Sequence, residues 1–434
     1  MNLNYGVKKL FRLQRVHISL HYSWIILIIT FLVLLMASAI RSMPGAIIIS
    51  WEKFFGWKRT EITFALAINL FLYGLCGPFV AAMLELYGIR RIMTLSLLLL
   101  AIGSGLSTWM NALWQMNLLW GIVIGIGTGG LSSVVGPIIA NRWFFKHQGV
   151  VVGIFGAAGA TGQLIFLPLF AKLLSTYDWQ TAVRIITALI MMIVLLVMIL
   201  MRDRPSDIGL LPYGASDMDT VPVSLNENPL FLIGHALKAA ILSKKFWLLS
   251  SSFFVCGATS TGLIATHFIL ACNDIGISEM IAASMLSVAG LFNIFGVTVS
   301  GWLSDRFDNR WLLFWIYFLR GISLLFLPFL LGSNLWYLLF FIVFYGLDWI
   351  ATVPPTVRLT RDTFGKQGGI VFGWIMVIHQ LGAALAAFGG GVLHTEFGNY
   401  RVTFILAGLL CFMASGLVMK ISNQNKKSNS EKPY

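Results

Sequence analysis

Three ionisable residues stand where a long apolar chain has little reason to keep them: Arg320, Asp348 and His379. Asp348 lies in "YGLDWIATVPPTVRLTR" (345–361), directly after the uncharged run "LWYLLFFIVF" (335–344). A carboxylate, a guanidinium and an imidazole in such surroundings can hold a proton, grip a charged solute or neutralise one another. As a proton-accepting switch, Asp348 would have its pKa raised by desolvation and lowered by Arg320 or a bound cation. His379 would be a second titrating group, since its unperturbed pKa is about 6.5. The alternative is a fixed Arg320–Asp348 pair that pins two helices together. Arg41, late in the first apolar stretch, is a candidate to take a carboxylate bidentately from water, or else snorkels to the outer interface. His267 in "STGLIATHF" is read as a solute contact, an outer-gate residue or a packing histidine. Asn69, Tyr73 and Gln163 are further polar candidates.

The solvent around these residues follows from composition. The 434-residue chain is 58% hydrophobic and 11% charged, with mean hydropathy +0.84, whereas a soluble domain carries about 25% charged residues. The surplus apolar surface must face lipid. Stretches of about 20 apolar residues recur, near 23–44, 61–84, 92–108, 113–137, 150–174, 182–201, 246–271, 280–302, 311–331, 335–357, 370–393 and 402–420. These are expected to be twelve helical spans, because a helix satisfies its own backbone in lipid and the alternation of a barrel is missing. Arg320 and His379 lie about nine residues into spans nine and eleven, and Asp348 about nine before the end of span ten. All three then sit roughly 13 Å deep, near the midplane.

Basic residues gather in alternate loops, among them Lys8, Lys9, Arg90, Arg91, Arg142, Lys146, Arg202, Arg204, Lys244, Lys245, Arg306, Arg310, Arg358 and Arg361. This bias places both termini in the cytoplasm. The net charge of +13 suits anionic headgroups and not nucleic acid, because no basic cluster sits on a soluble domain. Residues 1–24 read as a basic lead-in to span one, without a cleavable signal. The four cysteines show no C-x-x-C spacing, so neither a disulfide framework nor a metal site is expected.

The longest polar interval, 202–245, is read as a cytoplasmic linker between six-helix bundles at 1–201 and 246–421, with 422–434 as a tail. "KAAILSKKFW" at its end reads as a short surface helix. The halves repeat: a shift of 220 residues lays "AAMLELYGIR" (81–90) over "GWLSDRFDNR" (301–310), and "FFKHQGVVVGIFGAAGATG" (144–162) over "FGKQGGIVFGWIMVIHQLG" (364–382). Duplicated halves are a transporter signature, with the solute site between them.

On these residues the chain resembles the major facilitator superfamily. "GWLSDRFDNR" matches the family's G-x-L-x-D-R-x-x-x-R loop, through Gly301, Asp305, Arg306 and Arg310. The first-half copy keeps Arg90, but Glu85 replaces the Asp and Leu86 the Arg. "NRWFFKHQG" and the glycine-rich starts of spans five and eleven look like the monocarboxylate and oxalate/formate branch. "RDRPSDIGLLPYG" and "GLDWIATVPPTVRLT" look like a bacterial group within it, which implies a bacterial inner membrane. The resemblance implies an all-α membrane protein of twelve transmembrane helices in two pseudo-symmetric six-helix bundles. It also implies a cytoplasmic latch, in which Asp305 approaches the start of span five near Gly149 and Glu85 that of span eleven near Gly369, breaking when the carrier opens inward. A carboxylate near a helix N-terminus gains about 0.3–1 kcal/mol when exposed.

Two departures limit what carries over. Span eight lacks the arginine expected of monocarboxylate transporters, and Gly121 stands where proton-coupled drug exporters carry one in span four. "GIGTGG" (125–130) is embedded in an apolar span, so Gly121, Gly125 and Gly129 form a small-residue packing face rather than a dinucleotide loop. Pro354 and Pro355 are expected to bend the cytoplasmic end of span ten, as a gate or as a helix terminus. No catalytic constellation, P-loop, cofactor motif or metal-ligand spacing appears. The reading is a monomeric secondary transporter, not an enzyme, moving a small organic solute, expected to be a carboxylate, by proton coupling or exchange. Its partners are that solute, protons as a coupling option, and membrane lipids. An exporter of amphipathic metabolites or drugs is the alternative, and a membrane sensor the competing class.

Overall fold

The computed structural model describes residues 21–132, 134–215 and 229–421. The basic lead-in, the middle of the linker and the tail lie outside the described residues. Among those described, eleven helices are long and apolar enough to cross a membrane. Span one is Tyr22–Phe55, span two Arg59–Tyr87, span three Ile89–Ser107, span five Gln148–Thr176 and span six Trp179–Leu200. Span seven is Lys244–Asp274, span eight Glu279–Ser304, span nine Asn309–Leu330, span ten Trp336–Phe364, span eleven Gly368–Phe397 and span twelve Arg401–Met419. The fourth span is assembled from pieces: Leu113–Met116, a π-helical stretch Asn117–Val123, Ile124–Gly129 and, after a break, Val135–Trp143.

Short polar residues set the starts. The side chains of Asp178, Ser278, Asp308 and Asn334 each accept a backbone N–H from the first turn of spans six, eight, nine and ten, as N-caps do. The hydrogen bond from Arg310 holds the Asp308 carboxyl below its usual pKa. Gly88 joins spans two and three at φ +88°, and an added Cβ would lie 2.7 Å from the Asp203 carboxylate. Only glycine meets both demands. Asp203 in turn accepts the Arg90 N–H at 2.8 Å, and the Tyr213 backbone pairs with Trp143 and Phe145. The "RDRPSDIGLLPYG" stretch therefore ties the loop after span two to the end of span four.

Packing repeats between the halves. Span one packs on five, two on four and three on six; equivalently, seven packs on eleven, eight on ten and nine on twelve. Across the halves, span two meets eleven, five meets eight, and one meets seven. Tyr22, at the start of span one and hydrogen-bonded to the Leu200 carbonyl, and Ile421, after span twelve and hydrogen-bonded to Arg310, mark one end of the two bundles, called here the terminal end; the other is the distal end.

Candidate functional site

Eight spans, one, two, four and five from the first half and seven, eight, ten and eleven from the second, enclose a cavity of about 380 Å³. Small-molecule sites run from about 300 to 1,000 Å³. Span one does not stop at Pro44, as the sequence suggested, but continues through it to Phe55. The apolar run "AIIISW" after the proline regains the helix and packs on the other half: a Cβ on Gly45 would lie 2.8 Å from the Ala265 carbonyl. Arg41 therefore sits mid-helix on the cavity wall, not at the outer interface. Its Nη1 donates to the Tyr73 hydroxyl at 3.1 Å, and its guanidinium lies 4.4 Å over that ring.

Asn69 shares this wall but is partly committed, donating to the Trp120 carbonyl at 2.6 Å within the π-helical stretch of span four. Gln163 faces in from span five, and His379 and Gln380 from span eleven. Trp120, Phe253, Trp349 and Phe372 supply an aromatic lining. Among the lining residues Arg41 is the only arginine or lysine, and none is an aspartate or glutamate.

Arg320 and Asp348 meet each other but do not line the cavity. Arg320 is fully buried, with Nε 2.5 Å from the Asp348 carboxylate, Nη2 2.6 Å from the Asp348 carbonyl and 3.1 Å from that of Trp349, and Nη1 3.2 Å from Cys256 Sγ. Span ten is interrupted between Leu335–Asp348 and Val353–Phe364. Residues 349–352 expose backbone groups that a continuous helix would pair internally. Besides Arg320, the Ser300 hydroxyl donates to the Ala351 carbonyl at 2.5 Å, and Asn293 Oδ1 accepts the Ile350 N–H at 3.1 Å. The pair thus braces an unwound segment whose Trp349 and Ile350 form cavity wall. The interruption lies before Pro354 and Pro355, not at them: the prolines occupy the first turn of Val353–Phe364, where a missing N–H costs nothing.

Gly121, Gly125 and Gly129 face span two, and added Cβ atoms would lie 3.2 Å from the Ala65 carbonyl, 3.0 Å from Asn69 Cα and 2.6 Å from Cys76 Cβ.

At the distal end the halves are joined by an ion network. Arg59 lies 2.6 Å from Glu52 and 3.3 Å from Asp274, donates to the Tyr400 hydroxyl at 3.2 Å and lies 3.1 Å from His394 Nε2. His394 in turn lies 2.8 Å from Asp274, and Thr60 Oγ1 is 2.7 Å from Thr395 Oγ1. Burial raises the Tyr400 phenol above its usual range, so the hydroxyl stays protonated. His267 lies beneath this network, fully buried, with Nδ1 2.9 Å from the Tyr400 hydroxyl and Nε2 2.8 Å from the Ala387 carbonyl. Both its nitrogens are engaged, so it supports the seal and does not line the cavity. Sequence reasoning missed Glu52, Arg59, Asp274 and His394. The available signal was opposite charges at the distal ends of spans one, two, seven and eleven.

At the terminal end the loop residues pair within their own halves. Glu85 meets Arg142 at 2.6 Å, Asp305 meets Arg358, Arg310 meets Asp308 and the Ile421 carbonyl, and Arg306 lies over the Trp302 ring. The approach expected of Asp305 and Glu85 to the starts of spans five and eleven is not what these contacts show. Cβ atoms added at Gly149 and Gly369 would meet nothing within 4 Å, and the same holds for Gly153 and Gly156 along span five. Gly301 also has open space.

Comparison with known proteins agrees with this architecture. The Major Facilitator Superfamily profile matches residues 30–352 and 268–433. An uncharacterized MFS-type transporter, YcxA, of Bacillus subtilis is 24% identical over 92% of this chain and 94% of its own. Monocarboxylate transporter 13 of Rattus norvegicus is 22% identical over 92% and 89%. Among solved structures, a D-xylose–proton symporter superposes with TM-score 0.71 at 15% identity, covering 93% of this chain and 99% of its own. With its repeated six-helix packing, central cavity and matching profile, the chain belongs to the Major Facilitator Superfamily, a family of membrane transporters and not enzymes.

Proposed function

We propose that this protein carries a small organic monocarboxylate across the membrane by alternating access. The observation that supports it most is the charge of the cavity: one fixed cation, Arg41, and no lining carboxylate. A monoanion entering this cavity is neutralised by one group; a cation would find no counter-charge. The aromatic walls suit an apolar body behind the carboxylate. The monocarboxylate transporter named above is consistent with this class.

The terminal end is assigned to the cytoplasm, because Arg90, Arg142, Arg202, Arg204, Arg306, Arg310 and Arg358 gather there. In that orientation the distal ion network is a closed outer gate, and the separated walls at Gly149 and Gly369 are the open inner mouth. Asp305 and Glu85 would take up their latching positions only when that mouth closes. Coupling is to protons or by exchange, with His379 the histidine on the wall and Asp348 a structural partner of Arg320.

Proteoliposome uptake tests this reading, across aliphatic and aromatic monocarboxylates, dicarboxylates, amino acids and cationic drugs, with and without a pH gradient. Monocarboxylates are expected to accumulate and to lose uptake in Arg41→Gln. Preferential uptake of cationic drugs would support the second reading, export of amphipathic compounds, which the aromatic lining also suits.

A further inference from the structure

The helix Pro229–Ile241, just before span seven, lies across the seam between the halves. It packs on span two of the first half and on spans seven and eleven of the second, and the Trp374 indole donates to the Ile233 carbonyl at 3.3 Å. Its inner stripe is Ile233, Ala236 and Ala240, all buried. At about 100° per residue, the opposite stripe is Phe231, His235, Lys238 and, just past the helix end, Leu242. Phe231 is 69% and Leu242 83% exposed, the His235 ring stacks on Phe231, and Lys238 is exposed. Lys244 and Lys245 follow, then Trp247, half-exposed, with its indole donating to the Ile241 carbonyl at 2.8 Å. No acidic residue occurs between Glu227 and Asp274.

Position decides what covers this face. Lys244 opens a membrane span, so the helix lies at the level where hydrocarbon gives way to headgroups, and Trp247 sits where interfacial indoles collect. An amphipathic helix at that depth, with aromatic and aliphatic side chains beside lysines, has the pattern of an interfacial element attracted to anionic lipid. We propose that Pro229–Ile241 is a lipid-binding strap. Lys238, Lys244 and Lys245 take the phosphates of anionic phospholipid, Phe231 and Leu242 enter the acyl boundary, and the buried stripe holds spans two and eleven together beneath.

The test compares the full-length protein in nanodiscs of phosphatidylcholine alone with nanodiscs containing an equal part of phosphatidylglycerol. Amide hydrogen exchange is read over residues 229–241, with the membrane spans as an internal control. Exchange is expected to slow in the anionic discs by about fivefold per engaged lysine. The Lys238→Gln/Lys244→Gln/Lys245→Gln variant should lose the difference, and the matching arginine variant should keep it. Phe231→Ser/Leu242→Ser should exchange faster in both lipids. Equal rates in the two lipids, a difference that survives the glutamine variant, or no response to the serine variant would each overturn the proposal.

Discussion

Arg320 donates to three oxygens around the interruption in span ten, and only one of them is a carboxylate oxygen. Removing the guanidinium therefore strands a buried carboxylate and the Trp349 carbonyl together, while the Asp348 carbonyl keeps the Ala351 N–H at 3.2 Å. Arg320→Met is expected to destabilise the detergent-purified protein by about 3–5 kcal/mol, and Asp348→Asn by less, since the asparagine oxygen still accepts. The double variant Arg320→Met/Asp348→Leu should recover only part of the loss, because the Trp349 carbonyl stays unpaired. Thermal unfolding of the four proteins checks this; full recovery would reduce the brace to a simple ion pair. At Arg41, loss of a charge-assisted contact of about 1.5–3 kcal/mol predicts a ten- to hundredfold fall in carboxylate uptake for Arg41→Gln. Arg41→Lys should be intermediate, because an ammonium cannot reproduce the planar fork. Unchanged uptake kinetics in both variants would remove Arg41 from the solute contact. The meeting of Arg320 with Asp348 was legible by counting residues from one membrane face. That count could not show that Arg320 also serves the backbone, because the interruption in span ten has no strong breaker before Pro354.

The helices themselves were legible as elements, since hydrophobic length specifies a span and short polar residues mark its start. Their irregularities were not. Span one continues through a proline, while the helix of span four that follows its π-helical stretch ends at Gly129 and the next begins at Val135; both depend on which neighbour accepts the stranded backbone groups. Glycines separate the packed faces from the open ones. Gly129 leaves no room for a Cβ against Cys76, whereas Gly156 opens on space. Gly129→Leu should destabilise by about 1–3 kcal/mol through overpacking, and Gly156→Ala should be neutral or slightly stabilising. Comparable losses at both positions, measured by unfolding in detergent, would contradict this division of faces.

At the scale of the molecule, two halves, a cavity between them and one closed end are what the proposed rocking requires. The repeat in sequence foretold the halves, but the seal was illegible. Its residues lie 215 and 335 positions apart along the chain, and each stands at a span end where charges are ordinary. Arg59 is the centre of the seal, so Arg59→Gln should free the distal ends of the halves while the terminal mouth narrows. Pulsed electron resonance distances in nanodiscs read this directly, with spin labels at Lys58 and Asn399 across the distal end and at Lys146 and Arg361 across the terminal end. Alternating access predicts that Arg59→Gln lengthens the first distance and shortens the second in the same population. Both distances unchanged, or both lengthening together, would contradict it.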